Sequence, residues 1–297
     1  MNGILCMNKP EGFTSFDVIG KLRGILKIKR LGHAGTLDPM ATGVLPIFVG
    51  NATKACDILP NNEKSYRASF RLGLVTDTQD ITGEVLKRFE KKASEEELIN
   101  VIPQFKGSIM QLPPMYSAVQ VDGKRLYDLA RKGIEVEREK REIFIDDIRL
   151  ESFDEETQEG VLFIACSKGT YIRTIINDIG EVLGCGGIMT ELVRLSSSGF
   201  ILSQCHTFEE VEKARDEGRL EELIIPVSEV FRELPSLRLN KPQTSMYRNG
   251  VKLDLSRVYN IKDGEDVYAV YSFDGAFIGT ASADREKGEL RIGKNLA

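Results

Sequence analysis

His33-Ala34-Gly35-Thr36-Leu37-Asp38-Pro39-Met40-Ala41-Thr42-Gly43-Val44-Leu45 is the stretch around which the chain is organised. It holds one carboxylate, one of the chain's two histidines, two glycines and a proline. Gly35 and Gly43 open backbone angles closed to other residues. Pro39 fixes its own φ and pushes Asp38 toward an extended conformation. The expected product is a stiff loop holding Asp38 at a set angle, which is what nucleophilic or acid–base chemistry asks of a carboxylate. On residue chemistry alone the more ordinary reading is a Gly/Pro turn with an Asx cap, because most such turns are only turns.

Around this stretch lie 297 residues, enough for a large domain and a small one. Hydrophobic residues make up 41%, ordinary for a globular protein. No apolar run reaches the ~18 residues of a membrane span, and no basic region followed by an apolar core opens the chain. A cytoplasmic protein is expected. Five dispersed cysteines (Cys6, Cys56, Cys166, Cys185, Cys205) contain no C-x-x-C pair, which argues for reduced thiols and against a structural zinc site. Cys205-His206 lacks partners at ligand spacing and reads as structural.

The net charge of −5 and pI of about 5.4 count against nucleic-acid binding. The distribution softens that objection. Residues 1–54 carry seven bases against three acids, whereas acids gather in residues 135–159 and 209–222. A local basic face on an acidic protein can still hold a polyanion.

In chain order, residues 3–7 read as a short apolar strand. Thr14 or Ser15 can cap a helix in which Val18, Ile19, Leu22 and Ile25 recur at helical spacing, ending near Leu26. Residues 45–49 look like a buried strand or a helix start. Tyr66, Ala68, Phe70 and Leu72 alternate with polar residues, so a strand with one buried face is expected. Ser94 with Glu97 and Thr207 with Glu210 form capping boxes ahead of helices. Residues 119–124 suggest a hairpin turn and residues 126–131 a short helix, with Lys124, Arg125, Arg131 and Lys132 clustered around them. Residues 160–167 read as an apolar strand. Ile172, Ile175, Ile176, Ile179, Val182 and Leu183 mark one side of a helix that Gly184 ends. Leu234-Pro235-Ser236 looks like a boundary, and residues 237–297 alternate apolar runs with Gly turns, as in a small β-rich barrel.

The opening stretch resembles the catalytic motif of the TruB family of tRNA pseudouridine synthases. Further blocks follow in the family's order: Asn8-Lys9-Pro10-Glu11-Gly12, Lys64-Ser65-Tyr66, Leu112-Pro113-Pro114-Met115-Tyr116-Ser117-Ala118 and Lys168-Gly169-Thr170-Tyr171-Ile172-Arg173. The similarity runs from about Lys9 to Arg194 and loosens after Pro235. It implies an α+β protein: a mixed, largely antiparallel sheet flanked by helices over residues 1–234, and a small C-terminal β-barrel, PUA-like and RNA-binding, over residues 235–297. Residues 119–141 would be a projecting segment that grips the RNA arm.

The implied reaction isomerises uridine to pseudouridine at position ~55 in the T arm of tRNA. It needs no cofactor and no metal, and the chain lacks nucleotide-binding loops and zinc spacing. Asp38 would be the catalytic carboxylate, acting by attack on the sugar, attack on the base or proton removal from the sugar. Arg173 would orient it and lower its pKa by about one to three units. A uridine in a folded arm must be turned out, and a flipped base gains about one to three kcal/mol from an aromatic platform. Tyr66 and Tyr171 resemble the family's pocket tyrosines, Leu192 a pocket-lining position and His33 a substrate contact. Lys9, Lys124, Arg125 and Arg131 are candidates for the RNA backbone. The family often shows Leu-Arg-Arg where this chain has Leu192-Val193-Arg194, so one basic contact is missing. A monomer acting on tRNA without a protein partner is expected. The alternatives are a non-catalytic RNA-binding protein or tRNA-folding chaperone, and a guide-RNA-dependent, dyskerin-type synthase.

Overall fold

A computed structural model describes residues 1–117, 119–121 and 123–296, and the backbone alone of Arg125. The first strand, β1 (Gly3–Lys9), leads through a turn to helix α1 (Ser15–Leu26). Thr14 is the cap: its hydroxyl accepts the Asp17 N–H while the Asp17 carboxylate accepts the Thr14 N–H. Strands β2 (Leu31–His33) and β3 (Thr42–Val49) flank the Asp38 loop, so residues 42–49 are strand and not helix. Next come β4 (Lys64–Leu72), β5 (Leu74–Thr76), β6 (Val85–Arg88), helix α2 (Glu95–Val101) and β7 (Gly107–Gln111). The short hairpin β8 (Gln120–Val121) and β9 (Lys124–Arg125) runs into α3 (Leu126–Ala130).

Strands β10 (Arg141–Asp154) and β11 (Glu159–Cys166) precede helix α4 (Ile172–Leu183), which Gly184 ends at φ +72°. Then follow β12 (Gly187–Ser197), β13 (Phe200–Ile201) and helix α5 (Phe208–Asp216). The C-terminal part contains β14 (Ser236–Arg238), helix α6 (Lys241–Arg248), β15 (Leu253–Asp254), β16 (Val267–Tyr271), β17 (Phe277–Asp284) and β18 (Glu289–Asn295).

The chain divides into two compact units. One comprises Met1–Asp38, Val44–Asn61 and Ser198–Ala297. Here β2 pairs antiparallel with β3, and β1 is buried on both faces. Leu5 and Met7 join α1, α5 and Leu45, Ile47 and Val49 in one core, while Ile4 and Cys6 join Val44, Phe48, Phe231, Ala269 and Leu296 in another. Burial on both faces explains why these strands read as unbroken apolar runs. The C-terminal sheet has the order β14-β16-β17-β18-β15 and is curled, with Leu237, Tyr247, Tyr268, Val270 and Ile278 in its own core. Through Ala269 and Leu296 it also shares the second core of the N-terminal strands.

The other unit comprises Pro39–Gly43 and Asn62–Ser197. Its strands run β12-β4-β11-β10-β7, every neighbour antiparallel. The first residues of β3, Thr42 and Gly43, pair parallel to Val193 and Arg194. Helix α4 packs on β12 and β4, and α2 packs on α4. No helix among the described residues is long and apolar enough to cross a membrane.

Candidate active site

In the first unit, His33 ends β2, and its ring meets Phe16 edge-on at 5.8 Å between centroids. The loop begins with Ala34 N–H donating to Pro46 C=O at 3.2 Å. Gly35 follows at φ +74°, a conformation that glycine adopts without strain. Asp38 is half-buried within this loop. Lys9 does not sit where an RNA phosphate would meet it. It is fully buried, and its Nζ donates to the carbonyls of Pro10 (2.9 Å) and Phe13 (2.6 Å). The expectation of a backbone contact at Lys9 is therefore corrected: a buried ammonium must spend its donors internally, and here it ties the turn ahead of α1.

In the second unit Tyr66 lies on β4, Leu192 on β12, and Tyr171 and Arg173 at the start of α4. Tyr66 on β4 stands opposite Ile164 of β11 and Arg194 of β12 and is 6% exposed. Leu192 lies opposite Ala68, so Tyr66, Ala68, Leu192 and Arg194 share one sheet face. Gly43 packs against Arg194, and a Cβ on it would lie 2.2 Å from the Arg194 carbonyl oxygen. Only glycine fits that approach.

Tyr171 occupies the N-cap position of α4. Its N–H donates to Gln111 Oε1 at 2.9 Å, and its carbonyl accepts from Gln111 Nε2 at 3.0 Å. One buried amide thus fixes both faces of the Tyr171 backbone. Arg173, two residues on, is buried in the first turn of α4, with its guanidinium carbon 6.0 Å from the Tyr171 ring centre.

Arg173 Nη2 donates to the Tyr116 carbonyl at 2.6 Å, and Nη1 lies 3.5 Å from Asp80 Oδ2. Asp80 is itself buried, and its Oδ1 accepts from Thr78 Oγ1 (2.7 Å), Thr82 N (2.9 Å) and Thr82 Oγ1 (2.6 Å). Thr76 Oγ1 donates to the Asp80 carbonyl, and Thr174 Oγ1 of α4 donates to Gln79 Oε1, both at 2.7 Å. Residues 76–82 therefore form a hydrogen-bonded cradle that fixes a carboxylate against Arg173. Asp80 does not stand out among the candidate residues of the sequence. The signal was present in Thr-Asp-Thr-Gln-Asp-Ile-Thr, whose hydroxyls suit an Asx turn.

A second feature missed is cationic. Lys64, at the start of β4, pairs with Cys166 and Ser197 across its two neighbouring strands. Burial, with Arg194 and Lys168 adding repulsion, pulls its ammonium below the ordinary lysine range. Such a cluster draws anions. Farther along, the hairpin and α3 shape an open cavity of about 500 Å³ with Lys124, Asp128, Leu129, Arg131 and Lys132 among its walls. The expected contact at Arg125 rests on a side chain outside the described residues.

Family sequence models match two consecutive segments: the TruB family pseudouridylate synthase N-terminal domain over residues 23–172, and the tRNA pseudouridylate synthase B C-terminal domain over residues 173–232. The chain belongs to the TruB family. Among TruB relatives, the tRNA pseudouridine synthase B of Clostridium tetani (strain Massachusetts / E88) is 43% identical over 287 residues, covering 96% of this chain and 97% of its own. That of Bacillus velezensis (strain DSM 23117 / BGSC 10A6 / LMG 26770 / FZB42) is 41% identical, covering 93% of this chain and 91% of its own. The TruB fold seen here also matches a chain in the crystal structure of a Cbf5-Nop10-Gar1 complex, with a TM-score of 0.77 at 23% identity, covering 99% of this chain and 85% of that one. At that identity the likeness is one of fold.

Proposed function

We propose that this chain converts uridine to pseudouridine in tRNA, at position ~55 of the T arm, without a protein or guide-RNA partner. Asp38 is the catalytic carboxylate and Arg173 its partner. The observation that carries this reading is the buried Arg173: a planar guanidinium fixed by Asp80 and the Tyr116 carbonyl at the end of the Lys168-Gly169-Thr170-Tyr171-Ile172-Arg173 block. A guanidinium has five donors in a rigid fork. Such a fork suits a carboxylate, and the reading assigns that part to Asp38.

The target base leaves the helical stack and is received by Tyr66, Tyr171 and Leu192, with His33 at the substrate's edge. Asp38 acts ionised. The glycosidic bond to N1 breaks, the base turns within the pocket, C5 bonds to the sugar carbon and gives up its proton, and N1 ends protonated, so atoms and electrons balance without a redox partner. Lys124 and Arg131, together with Lys64 and Lys168, supply positive charge to the RNA backbone. Residues 235–297 serve as a PUA-like RNA-binding part beside the catalytic residues 1–234. The relatives at 41–43% identity are named as tRNA enzymes, which favours the stand-alone reading over a guide-dependent one.

The test is pseudouridine mapping in a single tRNA transcript incubated with this protein alone, beside its Asp38→Asn variant. Product confined to the T-arm uridine with the parent, and absent with the variant, is expected. Tight tRNA binding with no product from the parent would leave the chaperone reading standing.

A further inference from the structure

The first turn of α1 reaches the Asp38 loop through a buried hydroxyl. Ser15 is 1% exposed and lies 22 residues before Leu37, which is 4% exposed. Ser15 Oγ accepts the Leu37 N–H at 3.0 Å and donates to the Leu37 carbonyl at 3.4 Å. Both polar groups of the residue immediately before Asp38 thus meet one side chain. Ser15 is available for this because it is not the helix cap: Thr14 and Asp17 complete the capping box without it. The cap bonds hold the Asp17 carboxyl below the usual range.

The support behind Ser15 is stiff. The buried Lys9 ammonium ties the carbonyls of Pro10 and Phe13 just before the cap. The neighbour Phe16 places its ring against His33, the last residue of β2 before the loop. Two consecutive residues of α1 therefore touch this segment, one at the strand residue that precedes the loop through a ring contact and one at mid-loop through a hydroxyl.

We infer that Ser15 is a positioning residue for Asp38: it fixes the Leu37 peptide and through it the direction in which the Asp38 side chain leaves the backbone. It never meets the substrate. The inference rests on Asp38 being the catalytic carboxylate. A carboxylate acting on a sugar or base carbon has a narrow productive geometry, and misplacement by about 1 Å costs on the order of 100-fold in rate.

The experiment compares Ser15→Ala, Ser15→Thr and Asp38→Asn in single-turnover pseudouridine formation at saturating tRNA, with tRNA affinity and thermal unfolding measured alongside. Ser15→Ala is expected to lower the rate about 10–100-fold while affinity stays within about twofold, and Ser15→Thr, which keeps the hydroxyl, is expected to recover most of it. A rate loss that moves together with affinity, or that Ser15→Thr does not relieve, assigns Ser15 a general structural role and overturns the inference. Should Ser15→Ala not fold, Ser15→Cys keeps the volume with a weaker hydrogen-bonding group: a similar rate deficit supports positioning, and a parental rate overturns it. Asp38→Asn separates the two readings. If it is inactive while Ser15→Ala runs at the parental rate, only the positioning role fails. If Asp38→Asn is itself active, the assignment of Asp38 fails.

Discussion

Arg173 Nη1 and Asp80 Oδ2 stand 3.5 Å apart, both side chains under a tenth exposed, within one compact unit. Asp80 reaches this position because three donors from Thr78 and Thr82 hold its other oxygen. The pair is a charge relationship built into the scaffold before any substrate arrives. Breaking a buried pair leaves an uncompensated charge, which costs more than the pair itself contributes. Asp80→Asn keeps an oxygen for the threonine donors and removes the charge facing Arg173. A destabilisation of about 2–3 kcal/mol in denaturant unfolding is expected, with single-turnover activity falling further than the residual folded fraction explains. Parental stability and rate together would remove Asp80 from the site.

Arg173→Lys tests the fork itself. Lysine keeps the charge but has no planar pair of donors with which to span Asp80 and the Tyr116 carbonyl. Turnover at saturating tRNA should fall by about 10–100-fold with tRNA affinity little changed. The reverse pattern, affinity lost and rate retained, would make Arg173 a phosphate contact.

The basic cavity on the hairpin and α3 sets a salt dependence. Replacing Lys124 and Arg131 with alanine should weaken tRNA binding and flatten the slope of log affinity against log salt by about one to two units, at roughly 0.7–0.9 per phosphate contact. The rate at saturating RNA should stay near parental. Equal slopes for parent and double variant would place these residues away from the RNA backbone.

Asp178, on α4, gives a pH prediction. Burial raises its carboxyl to about 6, with Glu181 adding to the rise, while Asn177 and Lys140 oppose it. The folded state therefore binds more protons than the unfolded state between about pH 4 and pH 6, and stability falls as pH rises through that window. Asp178→Asn removes the penalty. It should gain about 1 kcal/mol at pH 7–8, allowing for the partial exposure of the group, and nothing below about pH 4. Urea unfolding at the two pH values checks the difference.

The sequence made α1, α2, α4 and α5 legible because caps and apolar spacing lie close together along the chain, as with Ser94 and Glu97 or Thr207 and Glu210. The longest strand was harder. Along β10 the buried residues run Ile143, Ile145 and Ile148, and a register shift between Ile145 and Asp147 breaks the period of two. Two such shifts interrupt β12. Helix α6 buries only Thr244 and Tyr247, so no apolar stripe announced it, although Asn240 and Gln243 form a capping box. At the site, Asp38, Tyr66, Tyr171 and Arg173 stood out through motif blocks. Asp80 and Ser15 did not, because what they hold lies 93 and 22 residues away in the chain.

Lys9 carries a practical consequence. Amine-reactive reagents modify a lysine at the rate at which it meets solvent, and this ammonium is shut between the Pro10 and Phe13 carbonyls. Its acylation must wait for the turn to open, whereas an exposed lysine such as Lys29 reacts at once. The ratio of the two labelling rates, read by mass spectrometry, therefore measures how often the entrance to α1 comes undone in the native protein.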